Sequence, residues 1–281
     1  MDSRGSTESI DNIRVPTLPR TLVKLREMLS SDKYGLSEVA ALIANDPPLA
    51  ARTLRIANSA QYGLRSRTLS VRTAATVLGM RTLSSLAMQA GVISVFEHLD
   101  DTRGFDVESF WRHAILTGHI SSLLATRFRR HDSDLAPEEY YTCGLLHDIG
   151  QLVMLDNFGI DYIATILISR TVEEQLENER ERFAGLTHAD VGAISASTWA
   201  LPIPISDLIK FHHSPGKANK SKDVLQIIAC ADEMAEEIAA HERDEPKRIV
   251  RRLRTPLVGS GEVFLQGVVQ SGIECWKNID L

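Results

Sequence analysis

The sequence predicts an all-α protein, a multi-helix bundle preceded by a smaller N-terminal helical subdomain. Apolar residues recur at helical spacing along most of the 281 residues, and the alternation typical of strands is hard to find. β-Branched residues fall mostly inside the helical patterns. With 43% hydrophobic and 24% charged residues, the composition is that of an ordinary globular protein.

Residues 1–12 are polar and predict a short disordered tail, and residues 13–100 predict the N-terminal helical subdomain. Its first helices are expected at 22–29 and 37–44. Asp46-Pro47 predicts the next helix start, because aspartate caps helices and proline suits their first turn. A further helix is expected to end at Gly79, a residue type common at helix C-termini, and another runs from Met80 towards His98.

The polar run 100–104 predicts a boundary, and residues 105–281 then form the larger bundle with a C-terminal extension. Helical segments are expected at about 106–130, 137–156, 160–181, 188–199, 203–213 and 223–241. The basic run 243–254 is interpreted as a charged face or loop.

Several classes of protein are disfavoured. No apolar run approaches the roughly 20 residues that a membrane span needs, and the N-terminus has no signal-peptide core. Cys143, Cys230 and Cys275 are odd in number and lack paired spacing. This argues against a disulfide scaffold or a thiolate zinc site and favours the reducing cytoplasm.

Charge is unevenly distributed. Residues 1–104 hold 13 Lys/Arg against 10 Asp/Glu, a balance of +3, whereas residues 105–281 hold 18 against 27, a balance of −9. Residues 47–96 contain no acid but six arginines: Arg52, Arg55, Arg65, Arg67, Arg72 and Arg81. These arginines can contact phosphate or an acidic partner, and Arg52, Arg55, Arg65 and Arg67 are the main candidates. The simpler interpretation is a solvated helical face, or pairing with the acidic second half.

His147 and Asp148 lie side by side on an apolar helical background, in the run 144–150. Imidazole and carboxylate both bind divalent metals, and burying such a pair without partners is costly. Further candidates lie on successive helices: His113, His188, His212, His213 and Asp232. Helical bundles build metal sites from inward-facing side chains of adjacent helices, so these residues predict one. The remaining histidines are interpreted as structural: His98, His119, His131 and His241.

Several motifs together resemble the HDOD proteins, a branch of the HD-domain superfamily found in bacterial signal transduction. The resemblance covers about residues 14–240. Its motifs are Leu18-Pro19, Ile43–Pro47, Ala57–Gly63, Val77–Gly79, Leu145–Gly150, Thr187–Gly192, Trp199–Pro202, His212-His213 and Ala231-Asp232. It implies an HD-superfamily-like fold for the bundle.

The resemblance also implies a set of metal ligands. The superfamily motif of a histidine, a His-Asp pair and a later aspartate corresponds to His113, His147, Asp148 and Asp232. In the related HD-GYP phosphodiesterases additional histidines bind a second metal, and His188, His212 and His213 occupy such positions. The implied cofactor is a pair of divalent metal ions. Iron or manganese is favoured, and zinc or nickel is possible.

The chain departs from the active HD-GYP enzymes at three points. Gln151 stands where those enzymes have a lysine that contacts substrate phosphate. The Gly-Tyr-Pro motif is missing, since Ser-Pro-Gly-Lys follows His213, and Ser109 replaces an acid that some relatives place before the first histidine. These departures argue against hydrolysis of cyclic di-GMP without removing the metal site.

Three functions remain open. The first is a signalling output or regulatory protein that acts mainly through a protein partner of unknown identity. The second is a metal-dependent phosphohydrolase acting on a nucleotide or cyclic dinucleotide, with a bridging hydroxide as nucleophile and no side chain assigned as general base. The third is DNA binding, since residues 73–83 have helix-turn-helix spacing. Its would-be recognition helix is largely apolar, so nucleic acid is the least favoured partner.

Overall fold

The computed structural model describes residues 13–31, 33–58, 67–99, 104–129, 135, 137–201, 203–218, 222–254 and 261–279, and every regular element in these ranges is helical. The all-α prediction is confirmed. The helices are α1 (Arg20–Leu29), α2 (Leu36–Ala44), α3 (Pro47–Ala57), α4 (Val71–Val95), α5 (Val107–Phe128), α6 (Pro137–Leu146), α7 (Ile149–Phe158), α8 (Ile160–Ile168), α9 (Val172–Arg182), α10 (His188–Thr198), α11 (Ile203–Phe211), α12 (Lys222–Ala240), α13 (Pro246–Arg252) and α14 (Glu262–Asn278). The predicted tail, residues 1–12, lies outside the described residues.

The start of α3 has the predicted cap. The side chain of Asp46 accepts a hydrogen bond from the backbone of Leu49, and Pro47 occupies the first turn of α3. Gly79 has φ +77°, so it breaks α4 into two helical stretches. In the second stretch Leu83, Leu86, Ala87 and Ala90 are buried, which places the would-be recognition helix in the core.

The second half is organised around α5. This helix packs against α6, α12 and α14, while α10 packs against α7 and α11. The core is continuous with the N-terminal half. The indole of Trp199 donates to the carbonyl of Pro16 at 2.7 Å, and the side chain of Asn157 exchanges two hydrogen bonds with the backbone of Arg14. Residues 100–103, at the predicted boundary, lie outside the described residues.

Two long helices expected from the sequence are each divided. The segment 137–156 breaks at His147-Asp148, which form a turn between α6 and α7. The segment 160–181 breaks at 169–171, because Thr171 caps a new helix by accepting from the backbone of Glu174. Helical periodicity continues across both breaks, so the sequence pattern alone does not reveal them. The run 243–254 contains the short helix α13.

Among the described helices, none is both long and apolar enough to cross a membrane.

His119 on α5 makes stability depend on pH. The ring is buried, its Nε2 contacts Ser271 Oγ at 2.9 Å, and burial lowers its pKa to about 4. Between this value and the usual 6.5, only the unfolded chain binds the proton, so stability falls as the pH drops through this window. We expect a loss of up to about 1.4 kcal/mol per pH unit. Urea denaturation at several pH values between 4.5 and 7 measures this dependence. The free energy of unfolding should change less steeply with pH in His119→Gln than in the unaltered protein, and the same pH dependence in both would contradict this assignment.

Candidate metal centre

Seven side chains from five parts of the bundle meet at one place. They belong to α5, the turn between α6 and α7, the first residue of α10, the residues after α11, and the middle of α12. The seven side chains form two groups, and within each group the ligand atoms all lie within 4.8 Å of one another. The first group is His113, His147 and Asp232, and the second group is Asp148, His188, His212 and His213. The structure thus brings together all seven ligands expected from the sequence.

Close helix packing positions the two groups. A Cβ atom on Gly150 would lie 1.8 Å from the carbonyl oxygen of His188, so α7 and α10 approach closely only because this residue is glycine. A Cβ on Gly192 would lie 2.7 Å from the side chain of Ile209. These contacts bring the His147-Asp148 turn, the start of α10 and the end of α11 together.

In the first group, the ring nitrogens point at a shared carboxylate. Nε2 of His113 lies 3.0 Å from Asp232 Oδ1, and Nε2 of His147 lies 3.4 Å from the same oxygen. Nδ1 of His147 donates to the carbonyl of Gly144 at 2.6 Å. This hydrogen bond leaves the lone pair of a neutral ring on Nε2, the atom that faces the cluster.

The second group is arranged in the same way around Asp148. Its Oδ1 lies 3.1 Å from His212 Nε2 and 3.4 Å from His188 Nε2. Nε2 of His188 lies 2.9 Å from His213 Nε2. Nδ1 of His212 donates to the carbonyl of Ile209 at 2.6 Å, which again leaves Nε2 for a ligand.

Asp148 joins the two groups. Its Oδ1 faces His188 and His212, whereas its Oδ2 lies 3.4 Å from Nε2 of His147 in the first group. A carboxylate with one oxygen directed to each of two ligand groups is suited to bridging two ions.

The residues fit a pair of divalent cations. Nε2 of His147 is buried and makes no hydrogen bond in the described part of the chain, although carboxylate oxygens of Asp148 and Asp232 lie 3.4 Å away. A cation bound between these atoms would satisfy all three. Two atoms that bind one ion at about 2.1 Å lie roughly 3.0–3.4 Å apart. The nitrogen–oxygen distances within the cluster are 3.0–3.4 Å.

The carboxylates of the cluster shift the pKa of its histidines. Burial disfavours a charged ring at His147, yet Asp148 and Asp232 hold the pKa of this residue well above its usual value. The same balance of burial against Asp148 and Glu179 raises the pKa of His188 to about 10. Protons and divalent cations compete for the same ring nitrogens, so metal binding here releases protons and weakens as the pH falls.

Glu179 is a residue that the sequence analysis missed. Its fully buried carboxylate accepts from Nδ1 of His188 at 2.8 and 2.9 Å and from the backbone nitrogen of the same residue at 2.9 Å. The hydroxyl of Tyr162 and the amide of Gln175 also donate to it. Glu179 lies in the charged run of α9 and has the residue type of its solvent-exposed neighbours. The signal that could have found it is its helical spacing from Leu176 and Phe183, which places it on the apolar face of the helix.

Of the residues predicted to contact phosphate or a partner, Gln151 lies at the cluster and the described arginines do not. The amide nitrogen of Gln151 donates to Asp148 Oδ2 at 2.7 Å, so this residue lies at the cluster. Arg52, Arg55 and Arg67 instead line a cleft of about 1400 Å³ on the side of α5 opposite His113. Arg52 pairs there with Glu97, and Arg65 lies outside the described residues.

The remaining histidines and Ser109 have separate roles. His98 pairs with Asp156, His241 pairs with Glu237, and His119 contacts Ser271. Ser109 donates to Asp106 at the start of α5. His131 lies outside the described residues.

Comparison with known proteins places the chain in a family. Residues 15–215 match the HDOD domain, and Asp232 lies beyond the matched part. An uncharacterized protein of Treponema pallidum (strain Nichols) is 29% identical over 228 residues, which are 80% of this chain and 42% of that protein. The chain therefore spans less than half the length of this relative.

Two solved structures have a similar fold. A provisionally named phosphohydrolase from Shewanella amazonensis has a TM-score of 0.77 and 23% identity, with 94% of this chain and 95% of that chain covered. An HDOD domain protein with unknown function from Geobacter sulfurreducens has a TM-score of 0.73 and 23% identity, covering 94% and 92%. With the family match extending over most of its length, the chain belongs to the HDOD family.

Proposed function

We propose that this chain is a signal-transduction output protein that holds two divalent metal ions in the cluster and acts mainly through a protein partner. The observation that carries the two-metal part of the proposal is the position of Asp148 between two ligand groups, and the match to the HDOD domain supports the signalling role. Five imidazoles and two carboxylates form a mixed nitrogen and oxygen donor set, which suits iron or manganese and also accommodates zinc or nickel. The free cysteines fit a cytoplasmic location.

The surroundings of Asp148 favour a regulatory role over catalysis. Enzymes of phosphoryl transfer commonly add a lysine or arginine to the metal ions that neutralise charge on the phosphoryl oxygens. Gln151 provides a neutral amide at the position of the expected lysine, and this amide is engaged with Asp148. In the described part of the chain, none of the ion pairs joins a lysine or arginine to the ligand carboxylates.

The second candidate function is a metal-dependent phosphohydrolase. Two bound ions would supply Lewis acidity and an activated water at this site. A surface cavity of about 500 Å³ favours this candidate, because its walls include Arg170 and Arg254. Two further wall residues adjoin the cluster: Gln175 donates to Glu179, and Glu236 lies one helical turn after Asp232. In this candidate function the two arginines bind the substrate phosphate, and Glu173 and Glu236 in the same walls offset part of their charge.

An assay of the metal-loaded protein distinguishes the two functions. The protein is loaded anaerobically with Mn²⁺ or Fe²⁺ and given cyclic di-GMP, a linear dinucleotide and bis(p-nitrophenyl) phosphate. For an output protein we expect bound metal without turnover above that of the His147→Ala variant. Metal-dependent turnover that is lost in His147→Ala and reduced in Arg254→Ala would overturn this proposal in favour of the phosphohydrolase.

A further inference from the structure

We propose that Glu179 is a positioning residue that makes the second group, Asp148, His188, His212 and His213, the tighter of the two metal positions. The inference deepens the proposed two-metal site and rests on it. It predicts that the two ions bind in a fixed order, with the second group filling first.

The contacts of Glu179 fix its carboxylate in a single orientation. One oxygen, Oε2, accepts from the backbone nitrogen of His188 at 2.9 Å and from Nδ1 of the same residue at 2.8 Å. The other oxygen accepts from the hydroxyl of Tyr162 at 3.0 Å and from the amide of Gln175 at 2.9 Å. A fully buried carboxylate with four donors has no freedom to turn away from the ring that it holds.

This carboxylate acts on the metal-facing atom of His188. When Nδ1–H donates to Glu179, the lone pair of the neutral ring lies on Nε2, which points at Asp148 and His213. A negatively charged acceptor also increases the basicity of the ring, and therefore its strength as a ligand.

The other buried ligand rings are held by neutral groups. Nδ1 of His147 donates to the carbonyl of Gly144, and Nδ1 of His212 donates to the carbonyl of Ile209. These carbonyls orient their rings but carry no net charge. With Asp148 shared, each ion has four ligand residues. In the described part of the chain, the second group contains the buried ring whose Nδ1 donates to a carboxylate outside the cluster, so this group is expected to bind its ion more tightly.

A purely structural role for Glu179 predicts a different result. Because the carboxylate also accepts from the first backbone nitrogen of α10, its loss could loosen that helix start without any specific effect on metal. Such a change would lower thermal stability and weaken both metal positions together. The charged-acceptor role instead weakens one position selectively.

The test is a titration of the full chain with Mn²⁺ or Co²⁺ alone. Binding is measured by calorimetry, and for Co²⁺ also by visible absorption. The substitution Glu179→Gln keeps the shape and removes the charge, and Tyr162 and Gln175 can both reverse to accept from the new amide. Glu177→Gln on the same helix is the matched control, because that side chain is exposed. His113→Ala identifies the step that belongs to the first group.

We expect two binding steps in the unaltered protein and in Glu177→Gln. In Glu179→Gln the tighter step should weaken about 10- to 100-fold, while the step lost in His113→Ala changes much less. An unchanged tighter step, or equal weakening of both steps, would overturn the role of Glu179 and leave the two-metal site intact. Absence of any binding by the unaltered protein would overturn both. If Glu179→Gln does not fold, Glu179→Asp, which keeps the charge but withdraws the carboxylate from Nδ1 of His188, should weaken the same step several-fold.

Discussion

Replacing Asp148 with alanine is expected to remove both metal ions, whereas replacing His113 removes only one. The difference follows from geometry, because Asp148 directs one oxygen to each ligand group and His113 belongs to the first group alone. Loss of a bridging carboxylate takes a ligand from both ions at once. We expect metal content to fall from about two ions per chain to below about 0.2 in Asp148→Ala, and to about one in His113→Ala.

Elemental analysis after anaerobic desalting measures this difference. Asp161→Ala is a suitable control, since this exposed aspartate lies in the first turn of α8, belongs to neither ligand group and should leave the metal content unchanged. Circular dichroism establishes that each variant is folded. Two ions retained by folded Asp148→Ala would show that this residue is not the bridge.

Gly150→Ala is expected to be the most destabilising single-methyl substitution at the centre. The added Cβ would lie 1.8 Å from the carbonyl oxygen of His188 and 2.7 Å from the backbone nitrogen of Gly192. Both contacts are with backbone, so α7 and α10 have to move apart. Overpacking of this kind costs about 3 kcal/mol or more when no flexible side chain can yield. The movement also separates Asp148 from His188, so metal affinity should fall with stability.

A matched substitution is available at Gly267 on α14. A Cβ at this position meets nothing within 4 Å, and alanine is favoured over glycine inside a helix, so Gly267→Ala should stabilise by about 0.5–1 kcal/mol. Guanidinium denaturation of both variants measures the contrast. Equal stability of Gly150→Ala and the unaltered protein would mean that α7 and α10 are not as close as the structure places them.

The seven residues that meet in the cluster could be predicted from residue type and context. Imidazoles and carboxylates on otherwise apolar helices are uncommon unless they have partners, and this signal singled out residues such as His147 and Asp232. Helical periodicity gave the fold class, and Asp46 marked a helix start correctly. These features are local in the sequence, so the sequence displays them directly.

The remaining features depend on contacts between distant residues. The break after α6 is accompanied by the close approach of Gly150 to α10, which no local propensity encodes. Glu179 has the residue type of its exposed neighbours on α9, and its role depends on its contact with His188, the first residue of α10. The arginines of α3 matched a phosphate-binding composition, yet Arg52 and Arg55 line a cleft on the far side of α5.

Crystals grown with Mn²⁺ and measured by anomalous diffraction test the central claim most directly. Two anomalous peaks are predicted, one bonded to His113, His147 and Asp232, the other to His188, His212 and His213, and both in contact with Asp148. No peak in the cluster, or a single peak that does not touch Asp148, would contradict the two-metal site.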